Sequence, residues 1–156
     1  VLGTGCFWGA EKGSAAIPGV IDAVSGYSDG IGVSPTYREI TQFRNRFNPN
    51  NHAEVVEVTF NKNVLSSEEL LRHYFESHDP TQINRQGNDV GTQYRSIILT
   101  TTPNQAESAR KVMDSYQVLL ANAGYGSIAT VVKPLVNFYP AEEYHQDYLV
   151  KNPNGF

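Results

Sequence analysis

Cys6 is the sole cysteine of the chain, and it stands inside Gly5-Cys6-Phe7-Trp8-Gly9, where a short apolar run meets a helical pattern. A thiol at a helix N-terminus faces unpaired backbone N–H groups and the positive end of the helix dipole, and both favour the thiolate. The flanking glycines clear backbone space for a ligand to reach the sulfur. The alternative is a structural cysteine in the core, the ordinary fate of a free thiol. Phe7 and Trp8 follow directly. Beside a nucleophile two large aromatics can wall a small apolar pocket; otherwise they are plain core packing.

Glu54 is the most informative carboxylate. In Ala53–Phe60 strand alternation puts Glu54, Val56, Val58 and Phe60 on one face and Ala53, Val55, Glu57 and Thr59 on the other. A carboxylate on an apolar face is disfavoured as an anion, so it titrates high and can donate a proton at neutral pH. The alternative is a place just beyond the sheet edge, solvated or paired with an arginine of the preceding loop. Three more candidates for hydrogen bonding to a ligand lie in polar segments: Tyr37 in Ser34-Pro35-Thr36-Tyr37, and Asp89 and Tyr94 in DPTQINRQGNDVGTQY at 79–94. Turn chemistry or surface placement would account for each of them as well. His52, His73, His78 and His145 form no metal-binding spacing, so no metal site is expected. His145, in Tyr144-His145-Gln146, is either a satisfied histidine between packed elements or a contact to a substrate. Arg38, Arg44 and Arg46 make a locally basic loop that reads as a solvated face.

The elements that must position these groups are short and clear. Residues 1–5 read as a buried strand, and 7–17 as a helix stopped by Pro18-Gly19. Strands are expected at 20–27, 53–60, 94–100 and 129–133, the last being the final strand. The periodicity predicts a helix over 66–78, where Ser66 and Glu69 make a capping box and Leu65 can staple onto Leu70. Thr102-Pro103 opens a long helix ending near Gly124, and Pro140 starts a short final one with acidic residues in its first turn. Residues 28–51 and 79–93 carry no hydrophobic period and are expected to be functional loops. The order predicts an α+β sandwich with helices packed on a mixed sheet.

Composition bounds the function. With 156 residues, 40% of them apolar, the chain is expected to be one catalytic domain over 1–156 with a core that needs no metal or disulfide. Twelve basic residues against 16 acidic give a net charge of −4, which argues against nucleic acid as a partner. No apolar run approaches the ~20 residues that cross a bilayer, so no membrane partner is expected. The chain shows no secretory leader and no Asn-x-Ser/Thr sequon, so a cytoplasmic location is expected; it begins at Val1 without methionine, which leaves a removed leader open.

Together these residues resemble the type A peptide methionine sulfoxide reductases, enzymes that repair oxidised methionine. The resemblance runs through GCFWG at 5–9, GYSDG at 26–30, PTYREI at 35–40, HAEVVEV at 52–58, HDPTQINRQGNDVGTQYRS at 78–96 and YPAEEYHQDYL at 139–149. Several long motifs in the right order make it highly specific. It implies a ferredoxin-like α+β two-layer core, with Cys6 attacking the sulfoxide sulfur and Glu54 protonating the oxygen. It further implies that Phe7 and Trp8 hold the S-methyl group, that Tyr37, Asp89 and Tyr94 orient the oxygen or a bridging water, and that the S epimer is selected.

Two features depart from the family pattern. Residues 43–51, FRNRFNPNN, make a longer segment between Tyr37 and Glu54 than is usual, and Thr41 stands near a position where relatives place a second cysteine. The chain therefore looks like a one-cysteine member, expected to act as a monomer. It is expected to hold no bound cofactor, its Cys6 sulfenic acid being reduced by an external thiol, either thioredoxin or glutathione with glutaredoxin. A resolving cysteine beyond Phe156 is the competing explanation. The rival readings are a single-cysteine thiol peroxidase and a non-catalytic ferredoxin-like binding module.

Overall fold

The structure is a computed structural model that describes residues 1–155. Along the chain it runs β1 (Leu2–Gly3), α1 (Phe7–Ala15), β2 (Val20–Ser28), α2 (Tyr37–Ile40), β3 (Ala53–Phe60) and α3 (Ser67–Glu76). Then come β4 (Arg85–Gln86), β5 (Asp89–Val90), β6 (Ile97–Thr100), α4 (Pro103–Asn122), β7 (Val131–Pro134), β8 (Phe138–Pro140) and α5 (Tyr148–Lys151). Single 3-10 turns lie at Phe43–Asn45, Thr92–Tyr94 and Glu143–His145.

Strand β3 organises the sheet, because its alternation is apolar on both faces. Ala53 and Val55 pack with Ile97, Leu99, Leu135 and Phe138 on one side. Val56 and Val58 turn the other way, toward the helices and a core of Phe7, Tyr27, Ile40 and Ala141. A third cluster joins Leu2 and Ile98 to the apolar stripe of α3 (Leu70, Leu71, Tyr74, Phe75) and to Ala109 and Val112 of α4. The six strands lie in the order β7-β6-β1-β3-β2-β8, and only the β6–β7 pair among these ladders is parallel. The expected α+β class with a mixed sheet is thus observed.

Local chemistry explains the helix ends. Ser66 accepts from the Glu69 N–H at 3.1 Å while the Glu69 carboxylate accepts from Ser66 N at 3.4 Å, so the capping box forms as read. Thr102 caps α4 through the Gln105 N–H at 3.2 Å. Its far end closes as a Schellman turn, with Gly124 at φ +89° and Tyr125 N donating to Leu120 O at 2.9 Å.

Four expectations need correction. The strand expected from Tyr94 begins at Ile97, since Tyr94 closes a 3-10 turn by donating its N–H to Gly91 O. No helix starts at Pro140, which instead ends the unforeseen edge strand β8 opposite Gly26. An edge strand tolerates proline because one side of it needs no ladder donor. Pairing carries on through Ala141 N to Ser25 O, so the acidic pair that follows opens only a 3-10 turn. Finally, neither long loop is featureless: the first holds α2, and the second folds β4 against β5.

Removing the α3 cap tests this account away from the chemistry. Ser66→Ala should cost about 1 kcal/mol, which in a domain of this size lowers Tm by roughly 2–4 °C in a thermal melt. An unchanged Tm would show that the box contributes nothing.

Candidate active site

The turn from β1 into α1 sets the sulfur. Gly5 has φ +112°, and a Cβ there would stand 2.8 Å from the Gln86 Cβ, so glycine is needed both for the turn and for the approach of the 79–93 segment. Cys6 is the N-cap of α1, as its sequence position suggests, and it is partly buried. The expected thiolate does not follow. Burial pushes the Cys6 thiol up to about 12, the nearby Glu54 charge adds to this, and the N–H groups of Trp8 and Gly9 only partly oppose it. Loss of hydration outweighs the helix terminus.

Glu54 is 1% exposed, on the face that alternation assigns it, which removes the solvated-edge alternative. Its Oε1 accepts from Phe7 N at 3.2 Å, one of the orphan donors of α1. Its Oε2 is buried with no partner among the described residues. Burial raises the carboxyl to about 8, against the Phe7 N–H and with a further push from Asp89. At neutral pH the group is mostly a carboxylic acid, and Oε2 is free to carry the proton.

Tyr37, Asp89 and Tyr94 share the lining of one open cleft of about 400 Å³. Burial raises both phenols, and the charges of Glu54, Cys6 and Asp89 reach each of them, so both stay hydrogen-bond donors at neutral pH. Burial raises Asp89 as well. The sequence-predicted polar groups therefore converge, although two separate loop segments supply them.

The aromatic candidates separate. Phe7 is fully buried against Tyr27, Tyr37 and His145, at ring centroid distances of 5.6, 6.1 and 5.2 Å. It underlies the pocket and presents no open surface of its own. Trp8 is partly exposed, stacks on Tyr148 at 3.8 Å and donates its indole N–H to His145 Nδ1 at 2.9 Å. His145 is 2% exposed, and burial lowers its pKa, so the neutral ring accepts at Nδ1 and carries its proton on Nε2. Its visible task is to hold Trp8.

Two groups escaped the sequence reading. Glu142, taken for a first-turn helix acid, accepts from Tyr27 Oη at 2.7 Å, Tyr37 N at 3.1 Å and Tyr144 Oη at 3.1 Å. Burial acts to raise it, but these bonds hold it below the usual carboxylate range. Tyr148 covers one face of Trp8. The signal available was the density of acids and aromatics in 139–149. Among the described residues no cluster of His, Cys, Asp or Glu could hold a metal ion, and no helix is long and apolar enough to cross a membrane.

A thiol and a neutral acid at the first turn of α1, whose charges reach the two phenols that line the neighbouring cleft, suit a reaction that places charge on a substrate oxygen. Comparison with known proteins agrees. Residues 1–156 match the family model described as peptide methionine sulfoxide reductase, and the chain belongs to that family. It is 49% identical over 156 residues to the peptide methionine sulfoxide reductase MsrA of Agrobacterium fabrum, covering 99% of this chain and 70% of that one. It is 47% identical to the MsrA of Corynebacterium kroppenstedtii, covering all of this chain and 71% of that one. The solved methionine sulfoxide reductase A of Corynebacterium diphtheriae superposes with a TM-score of 0.91 at 45% identity, over 99% of this chain and 74% of that one. Reduced Mxr1 of Saccharomyces cerevisiae gives 0.87 at 36% identity, over 99% and 85%.

The protonated thiol can be checked directly. Iodoacetamide should alkylate Cys6 at pH 8 at least about tenfold more slowly than a free thiol. Glu54→Gln, which removes the neighbouring charge, should shift the alkylation profile to lower pH. A profile centred at the ordinary cysteine pKa in both proteins would contradict the electrostatics.

Proposed function

We propose that the chain reduces methionine S-sulfoxide, free or within proteins, to methionine, and that Cys6 is the nucleophile. The observation that carries this reading is the shared position of Cys6 and the protonated Glu54 at the first turn of α1. Attack by Cys6 sulfur on the sulfoxide sulfur builds negative charge on oxygen, and the proton on Glu54 neutralises it there. Glu54, left as a carboxylate, recovers a proton from the thiol. The S–O bond then breaks as oxygen passes to Cys6, giving methionine and a Cys6 sulfenic acid. Net, the thiol hydrogen ends on oxygen, Cys6 is oxidised by two electrons and the sulfoxide is reduced by two.

Tyr37, Tyr94 and Asp89 orient the oxygen, or a water bridging to it. Trp8, with Phe7 beneath it, receives the S-methyl group by apolar contact. Two external thiols then convert the sulfenic acid to the thiol, releasing water and their own disulfide. Thioredoxin, or glutathione with glutaredoxin, fits that role, because Cys6 has no second cysteine among residues 1–156 to pair with. The reading takes residues 1–156 as one catalytic unit that holds no cofactor, acts as a monomer and works in the cytoplasm, where such thiols are reduced. The thiol peroxidase alternative is disfavoured because a peroxide has no S-methyl group to give the Trp8 wall beside Cys6 a task.

Pre-reduced protein mixed with each epimer, with no added reductant, should release about one methionine per chain from the S form alone and label Cys6 with a sulfenic-acid trap. Absence of methionine from the S form would sink the proposal. The acid role carries its own sign. Glu54 keeps its proton below about pH 8 and loses it above. The wild-type rate divided by that of Glu54→Gln should thus be about 10² or more at pH 6–7 and collapse as pH rises past 8. A pH-independent ratio would remove the acid role.

A further inference from the structure

The loop between α2 and β3 brings an arginine with unused donors to the cleft. Arg46 lines it together with Tyr37, Asp89 and Tyr94. The Arg46 Nε donates to Val90 O at 3.1 Å, and its guanidinium carbon lies 5.9 Å from the ring centroids of both Phe43 and Phe47. Its backbone is held as well: the carbonyl accepts from Thr92 N at 2.7 Å and the N–H donates to Phe43 O at 3.1 Å. Among the described residues, Nη1 and Nη2 make no hydrogen bond or ion pair. A guanidinium held at Nε and backed by two rings has little freedom left to lose, and its open Nη edge matches a planar carboxylate. A cleft of about 400 Å³ is also larger than one thioether side chain requires.

We infer that this arm of the cleft is a subsite for an acidic residue next to methionine sulfoxide in a polypeptide, with Arg46 reading the carboxylate and the exposed Phe43 forming an apolar rim. The inference rests on the reductase reading above. The subsite lies beside the tyrosines assigned to the sulfoxide oxygen, so a bound polypeptide must pass it while the sulfoxide is in place. Asp89 shares the cleft and repels a carboxylate, which confines the preference to the Arg46 side. Free methionine sulfoxide and thiol reductants also bear carboxylates, and the test separates these sources.

Single-turnover rates would be measured with pre-reduced protein and no thiol, on terminally blocked peptides carrying Glu, Gln or Lys before or after methionine sulfoxide. At low salt the Glu peptide should react about fivefold to tenfold faster than the Gln peptide at subsaturating concentration, and the gap should narrow in about 0.5 M salt. Arg46→Gln should bring the Glu-to-Gln ratio close to one, Arg46→Lys should keep part of it, and Arg46→Glu should favour the Lys peptide. Because each ratio is taken within one variant, a general loss of folded enzyme cancels. A flat ratio in the wild type, a preference for Lys, or a ratio unchanged by Arg46→Gln overturns the subsite. So does an Arg46→Gln effect confined to free methionine sulfoxide relative to its amide, or to KM for glutathione in multiple turnover. Methionine formed at a flat ratio defeats the subsite alone, whereas no methionine from any peptide defeats the reductase reading with it.

Discussion

The hydrogen bond from Phe7 N–H to the Glu54 carboxyl joins the two halves of the chemistry. It ties the middle strand of the sheet to the first turn of the helix whose N-cap is the sulfur. A helix start leaves donors unpaired, and a carboxyl on the apolar face of β3 needs a partner, so each satisfies a need of the other. An anion buried there with one N–H donor would remain costly, and the group escapes the cost by keeping its proton. A carboxylic acid can accept the Phe7 N–H on one oxygen while its hydroxyl oxygen faces the site. The same burial keeps the Cys6 thiol protonated. At rest the site holds both protons, and the proposed reaction moves one of them onto the substrate oxygen.

That pair is supported by the C-terminal segment folded back over α1. Glu142 receives the phenol of Tyr27, which lies opposite Glu54 in the β2–β3 ladder, and the backbone N–H of Tyr37 at the start of α2. One carboxylate therefore fixes β2 and α2 relative to each other, next to the buried acid. His145 and Tyr148 fix Trp8 from its edge and its face. These contacts span more than a hundred residues of sequence, so the aromatic wall depends on the last turns being docked.

What could be read from the sequence followed range. Glu54 was placed correctly because a period of two, with apolar residues on both sides, decides which way each side chain of β3 points. The α3 cap was legible for the same reason, since Ser66 and Glu69 meet three residues apart. Cys6 was placed correctly at a helix start, yet its charge state was not legible: the dipole is a local property and burial is a tertiary one. Strand β8 was hidden because Phe138-Tyr139-Pro140 has a strand's backbone only while β2 supplies its partner. Nothing local in 139–149 announces that Glu142 bonds backward to Tyr27 and Tyr37.

The two aperiodic loops illustrate how the site divides its labour. They are tied to each other as well as to the core: Thr92 N and Oγ1 donate to Arg46 O and Asn45 O, and Arg46 Nε returns a bond to Val90 O. The groups proposed to exchange protons and electrons, Cys6 and Glu54, sit at the N-cap of α1 and on β3, elements held by the packing of the sheet and its helix. The groups proposed to meet the rest of a substrate sit on the loop pair, where insertions are tolerated. Residues 43–51 can therefore lengthen and reshape the cleft while the Phe7–Glu54 bond beneath it stays as it is, because no backbone bond of that loop passes through α1 or β3.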